Sequence, residues 1–271
     1  MPDQRRWLIA AMASAMLCLL AFDKPPSRSP RTSTGEGLQL LHKMQAALGG
    51  AGKIAAIYDY EETVRAQSWN PDGTPLSEVR KRTRWMRSPN LIRLDQIGAR
   101  DTYVLYFDGS TGTGWEILPD LNNSDALKTV GKSTELSGGE LKFAQSYLAG
   151  FQFRLWLADR MPGYVVTSPA PNVVRIEHES DGTDFTLEAG TGLPLKTSGV
   201  SLANPNRPVQ SEMRYEAWIE VAGVRFPSKR ANYHGGLKLG EITGAAIHVN
   251  TGLKPQDLAR KPADFFPDVP R

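Results

Sequence analysis

The sequence predicts a mainly β (α+β) protein built on one large, curved antiparallel sheet with a helical segment lying across it. Three observations carry that reading. Two groups of short strand-like segments, residues 57–118 and 163–250, are rich in β-branched and aromatic residues. Turn signals break them at spacings that suit hairpins rather than parallel crossovers. Between them lies a single long helical pattern, Glu140 to Met161. The segments add up to about twelve strands, and a sheet of that size twists, curls or closes.

The helical pattern organises the rest. At about 100° per residue, Phe143, Tyr147, Leu148, Phe151 and Leu155 share one broad face, while Phe153, Trp156 and Leu157 fall on the other side. The second half is apolar almost all round, so it must be covered on more than one side. Such a helix either plugs a curved sheet as core or closes over a cavity.

In chain order, Arg5 and Arg6 precede an uncharged run of 16 residues, Trp7 to Phe22. A basic start followed by an apolar stretch reads as an export signal, and the run is short for a spanning helix. Residues 1–22 are therefore expected to be a signal peptide or, if uncleaved, an anchor associating the chain with a membrane. Cys18 is the only cysteine, and Leu17 before it does not suit lipidation. Residues 23–37, rich in Pro, Ser, Arg and Thr, read as a disordered linker. Residues 38–271 then form a single domain. Leu38, Leu41, Met44 and Leu48 repeat at helical spacing, and Gly49-Gly50 ends that helix.

Strand signals follow from Ile57, with breaks at Asn70–Gly73, Ser88–Asn90 and Asp108-Gly109. Residues 119–139 are polar and are expected to form a loop. Strands resume at Tyr164 and continue to Val249. In Ser211–Val221, Met213, Tyr215, Ala217 and Ile219 alternate with Glu212, Arg214, Glu216 and Trp218, which predicts one buried and one wet face, Trp218 being the exception.

Composition and motifs exclude several classes. A net charge of +3 on 271 residues is too small for nucleic-acid binding. Ala126–Ser133 loosely fits a phosphate loop, yet polar residues precede it where a buried strand should be, and glycines follow it where a helix should open. His42, His178, His234 and His248 form no metal-binding pattern. Gly-x-Ser-x-Gly does not occur, so there is no nucleophile elbow. No catalytic residue, metal or cofactor is expected. Arg80, Arg82 and Arg84, with Arg87 and Arg93 nearby, form a basic set: either a solvated outer face or a dock for anionic head groups or an acidic protein partner.

The remaining signal is aromatic. Trp85, Trp115 and Trp156 join Phe143, Tyr147, Leu148, Phe151 and Leu155 as the expected ligand-binding set, because apolar and aromatic walls in a barrel mouth favour apolar ligands.

Several stretches, in order, carry a family resemblance: LQLLHKMQAALGGAGKIAAIYDYE at 38–61, FDGSTGTGWEI at 107–117, the central helical pattern, TLEAGTGLPLKTSG at 186–199 and RYEAWIEVAGVRFPSKR at 214–230. With the export signal ahead of them, they make the chain resemble the LolA/LolB superfamily of periplasmic, outer-membrane lipoprotein-sorting proteins. The resemblance covers about residues 38–250 and implies a half-closed antiparallel barrel with helices over its concave side. It further implies a periplasmic or cell-envelope, non-enzymatic binder or carrier of a lipid or lipoprotein acyl chain. The rival expectation is an envelope protein–protein interaction module whose barrel is filled by its own side chains.

Overall fold

The computed structural model describes residues 32–76, 78–98, 103–118, 133–178, 181–201 and 209–262. The signal-like run and the phosphate-loop-like segment up to Lys132 lie outside the described residues.

Thirteen strands form one sheet in which every neighbouring pair is antiparallel. They are β1 (Asp59–Ser68), β2 (Val79–Met86), β3 (Leu91–Gly98), β4 (Tyr103–Asp108), β5 (Thr113–Ile117), β6 (Ser133–Glu135) and β7 (Tyr164–Ala170). Then come β8 (Val173–His178), β9 (Asp181–Leu187), β10 (Pro194–Ser201), β11 (Val209–Val221), β12 (Val224–His234) and β13 (Leu237–Val249). The expected large antiparallel sheet is present; the additional strand, β6, lies in the stretch expected to be loop.

The sheet is two meanders joined at one seam. β1 to β6 run outward in one direction and β13 back to β7 in the other, and β1 pairs with β13. Among the described residues β6 and β7 are therefore the two edges, and the sheet is not closed. This topology dictates where the helices go. The chain leaves one edge at Glu135 and rejoins the opposite edge at Tyr164, so residues 136–163 must cross the sheet.

The crossing segment is not one helix. It divides into α3 (Gly138–Ala149), α4 (Gln152–Trp156) and a 3₁₀ turn (Ala158–Arg160). Gly150 caps α3 and Phe151 is extended (φ −64°, ψ 136°). The break explains the apolar pattern on all sides: after Phe151 the helix restarts in a new phase, so Phe153 and Trp156 reach the core already occupied by Tyr147 and Phe151.

At the N-terminal side, α1 (Gly35–Ala47) packs on β7 and β8. The expected linker ends earlier than Gly37. Thr34 caps α1 by accepting from the Gly37 amide, Thr34 N donates to Val166 O, and Val166 N donates to Ser33 Oγ. Gly37 lies so close to β7 that a Cβ there would meet the Thr167 backbone at 2.6 Å. Gly49 ends the helix with φ 118°, and a Cβ would stand 2.1 Å from Gly223 O in the β11–β12 turn; only glycine lets the two backbones approach in this way. A short α2 (Ala51–Ala55), which the sequence did not signal, follows.

The inner face of the sheet carries the main core. Leu41, Met44 and Leu48 of α1 and Ile54 of α2 join Tyr60, Trp85, Ile92, Leu105, Phe107, Val166, Ile176, Phe185 and Phe226 there. Trp218 and Ile219, expected on opposite faces, both pack against this core. Register shifts between Tyr215, Ala217 and Trp218 explain it, since a bulge inserts a residue and resets which side chains point inward.

Arg80, Arg82, Arg84 and Arg93 share the outer face, as alternation predicts, but Arg84 and Arg93 are buried there rather than solvated. Arg82 pairs with Glu61 at 2.7 Å, and Arg84 and Arg93 both pair with Asp95 at 2.8 Å. Arg93 also donates to the carbonyls of Leu258 and Arg260, which flank the end of α5 (Pro255–Ala259). Arg87 donates to the carbonyls of Ile54 and Ile57. The C-terminal segment thus covers part of this face, and Glu61 and Asp95 offset part of the charge of Arg82, Arg84 and Arg93.

Candidate functional site

The residues of the crossing segment meet the inner sheet in one aromatic cluster. Trp85 stacks on Phe153 with ring centroids 4.8 Å apart and planes 18° apart. Tyr60 meets Phe153 edge-on at 5.2 Å and Phe151 at 5.9 Å, and Phe226 closes the group against Phe153 and Trp156 at 6.0 Å. Each such pair contributes about 0.5–1.5 kcal/mol beyond the burial of its area.

Beside this cluster lies a cavity of about 100 Å³. The crossing segment supplies Tyr147, Phe151, Gln152, Leu155 and Trp156 as its roof. The sheet supplies Thr183 and Phe185 of β9, Thr197 of β10, Met213 and Tyr215 of β11, and Pro227 and Arg230 of β12. These strands are consecutive neighbours in the order of the sheet, which is why residues from 147 to 230 converge here.

The expected ligand-binding residues separate into three groups. Tyr147, Phe151, Leu155 and Trp156 line the cavity. Phe143, Leu148 and Trp85 belong to the same core without lining it: Phe143 is half-buried and stacks on Tyr147 at 6.2 Å, while Leu148 packs over the β4–β5 turn at Gly109. Trp115 is not brought to the site. It sits in a separate cluster with Val104 and Ile117, stacked on Tyr106 at 5.6 Å, with the Arg93 guanidinium at 5.6 Å. Register explains this, because Gly114 and Glu116, not Trp115, pair with the inward residues Phe107 and Leu105.

The sequence reading missed the polar floor. Arg230 is 4 % exposed and its Nη2 donates to Oε1 of Glu62, itself 2 % exposed, at 2.6 Å. Burial opposes the Arg230 charge, but Glu62 and the nearby Tyr60 and Tyr215 hydroxyls outweigh it and hold its pKa above the ordinary value. Lys81, 2 % exposed, shares the inner face; burial and then the Arg230 charge bring its pKa down to about 8. Burial also pushes Tyr147 up to about 12, against a bond with Thr83, and raises Tyr60 well above its usual range, with Glu62 adding to the rise. Alternation held the signal. Glu62 falls between Tyr60 and Val64, and Arg230 between Phe226 and Asn232, on inward-facing positions.

The histidines form no site. His42 lies 3.4 Å from Asp159, and His178 packs on the Tyr164 ring at 4.6 Å. Among the described residues no three His, Cys, Asp or Glu side chains are grouped to hold a metal ion. No helix among them is long and apolar enough to cross a membrane.

No protein-family model matches the chain, and no curated protein is similar to it at a significant level. Solved structures are similar. A LolA superfamily protein from Nitrosomonas europaea superposes with a TM-score of 0.53 at 11% identity, over 83% of this chain and 97% of that one. A DUF1329 family protein from Desulfovibrio piger gives a TM-score of 0.48 at 12% identity, over 84% and 98%. The chain has a LolA-like fold.

Proposed function

We propose that this protein is an exported binder or carrier of an apolar ligand, a lipid or acyl chain, held between the inner sheet and the crossing segment in the bacterial envelope. The observation that carries the reading is the cavity itself. Tyr147, Phe151, Leu155 and Trp156 from above and Phe185 and Met213 from below give it largely apolar and aromatic walls. Such walls with a few polar groups suit ligand recognition. The LolA-like fold supports the same reading, and the signal-like N-terminus supports export.

The size of the cavity bears on how a ligand enters. About 150 Å³ is needed for a benzene-sized guest, and drug-sized ligands occupy about 300–1,000 Å³. At about 100 Å³ the cavity takes a head group or a few methylenes. A whole chain therefore requires α4 to lift, and the Gly150–Phe151 break is the place where it would bend. The same small volume favours the second reading, an envelope interaction module whose barrel is filled by Phe151, Phe153 and Trp156.

The test is native mass spectrometry of the chain purified without detergent, followed by thermal unfolding with added fatty acids or phospholipid. A bound ligand at about 100 Kd stabilises by about 2.7 kcal/mol, a rise of roughly 5–10 °C. Replacing Phe151 and Leu155 with Asp removes that rise if the roof holds the ligand. A bare protein mass and an unchanged melting temperature with every lipid establish the filled-barrel module instead.

A further inference from the structure

The floor of the cavity carries a feature that a purely apolar ligand leaves unused. Arg230 lines the cavity and is almost fully buried, yet its guanidinium is only partly engaged. One Nη donates to Glu62, while the Nε proton has no acceptor among the described residues. Gln152, on the roof of the same cavity, presents a second amide donor set against the Tyr60 hydroxyl. Thr183 and Thr197 also line the space. A buried donor without an acceptor costs about 1–3 kcal/mol, and the Arg230 Nε is such a donor on the residue that lines this cavity.

Charge points the same way. The inner face at this position brings Arg230 and Lys81 together beside Glu62, and Lys81 is close enough for Arg230 to depress its pKa. The site is largely removed from water, where charge–charge interactions are strongest.

We propose that the cavity recognises the carboxylate head of a single-chain amphiphile, a fatty acid anion, through Arg230 Nε and the Gln152 amide. Its first methylenes lie against Phe151, Leu155, Trp156 and Met213. This rests on the binder reading above and names the chemistry of its ligand. A singly charged carboxylate suits the open Nε edge of one guanidinium and the small volume; a phosphate dianion placed beside Glu62 would meet more repulsion and needs more room.

The test uses the full chain and two probes with the same tail, palmitate and hexadecanol, in a competition assay against a fluorescent fatty acid at pH 7.5. Palmitate is expected to bind at least tenfold more tightly than hexadecanol. Arg230→Lys keeps a positive charge for Glu62 but lacks the forked donor, and is expected to weaken palmitate at least fivefold more than it weakens hexadecanol. Equal affinities for the two probes overturn the head-group inference and leave the apolar-binder reading standing. Binding of neither probe overturns both. If Arg230→Lys does not fold, the comparison of the two probes on the unaltered chain still decides.

Discussion

Glu62 and Arg230 stand 168 positions apart in the chain, yet the Arg230 Nη2 donates to the Glu62 Oε1 at 2.6 Å across the intervening strand β13. Both side chains are nearly inaccessible to water. The pair ties the first strand of one meander to the second-last strand of the other, directly beneath the crossing segment.

Removing one partner of a buried pair leaves an uncompensated charge and is expected to cost about 3–5 kcal/mol. Glu62→Ala should show a loss of that size in urea unfolding. The double variant Glu62→Leu with Arg230→Met replaces the pair with apolar side chains and should recover most of it. A double variant as unstable as Glu62→Ala would mean that the pair's geometry, rather than the orphaned charge, sets the cost.

Phe153 should matter more to stability than any other ring of the crossing segment. It contacts Tyr60, Trp85, Phe151, Trp156 and Phe226. Phe153→Ala is expected to cost about 3–5 kcal/mol, whereas Phe143→Ala, on a half-buried ring stacked only on Tyr147 among the described residues, should cost less than about 1.5 kcal/mol. Similar losses at the two positions would place the hub of the cluster elsewhere.

Gly37 and Gly35 separate a close approach from ordinary helix propensity. A Cβ on Gly37 would meet the Thr167 backbone at 2.6 Å, while one on Gly35 meets nothing within 4 Å. Gly37→Ala should lower stability by about 1–3 kcal/mol, with Gly35→Ala unchanged or slightly stabilised. Thermal unfolding of the two variants checks the docking of α1 on β7.

Lys81 predicts a pH dependence. Its folded-state pKa, about 8, lies below the unfolded value of about 10.4. Below pH 8 both states hold the proton and the folded state bears the cost of burying it. Between about pH 8 and 10 the unfolded chain holds more protons, so stability rises with pH at up to about 1.4 kcal/mol per unit. Tyr60 and Tyr147, with raised pKa values, act in the opposite direction only above about pH 10, where unfolded tyrosines ionise. Denaturation midpoints of the wild type and Lys81→Met, compared from pH 7 to 10, should converge or cross as pH rises. A constant difference would show that Lys81 is not the titrating group.

The sequence by itself determined what depends on near neighbours. Alternation and turn residues mark twelve of the thirteen strands, and the Ala222-Gly223 turn, both residues at positive φ, is placed where the sequence signals it. The apolar residues of Glu140–Met161 announce a segment that crosses the sheet. Local pattern also held Glu62 and Arg230 on inward positions, but a lone charge at such a position does not name its partner. Only the tertiary structure decided the β1–β13 seam, the restart of the helix after Phe151, the shift of register at Ala217 and the placement of Trp115 on the outer face. Each depends on contacts between residues far apart in the chain. A bulge or a helix break resets the phase of every side chain that follows, and periodicity read from the sequence has no means of registering that reset.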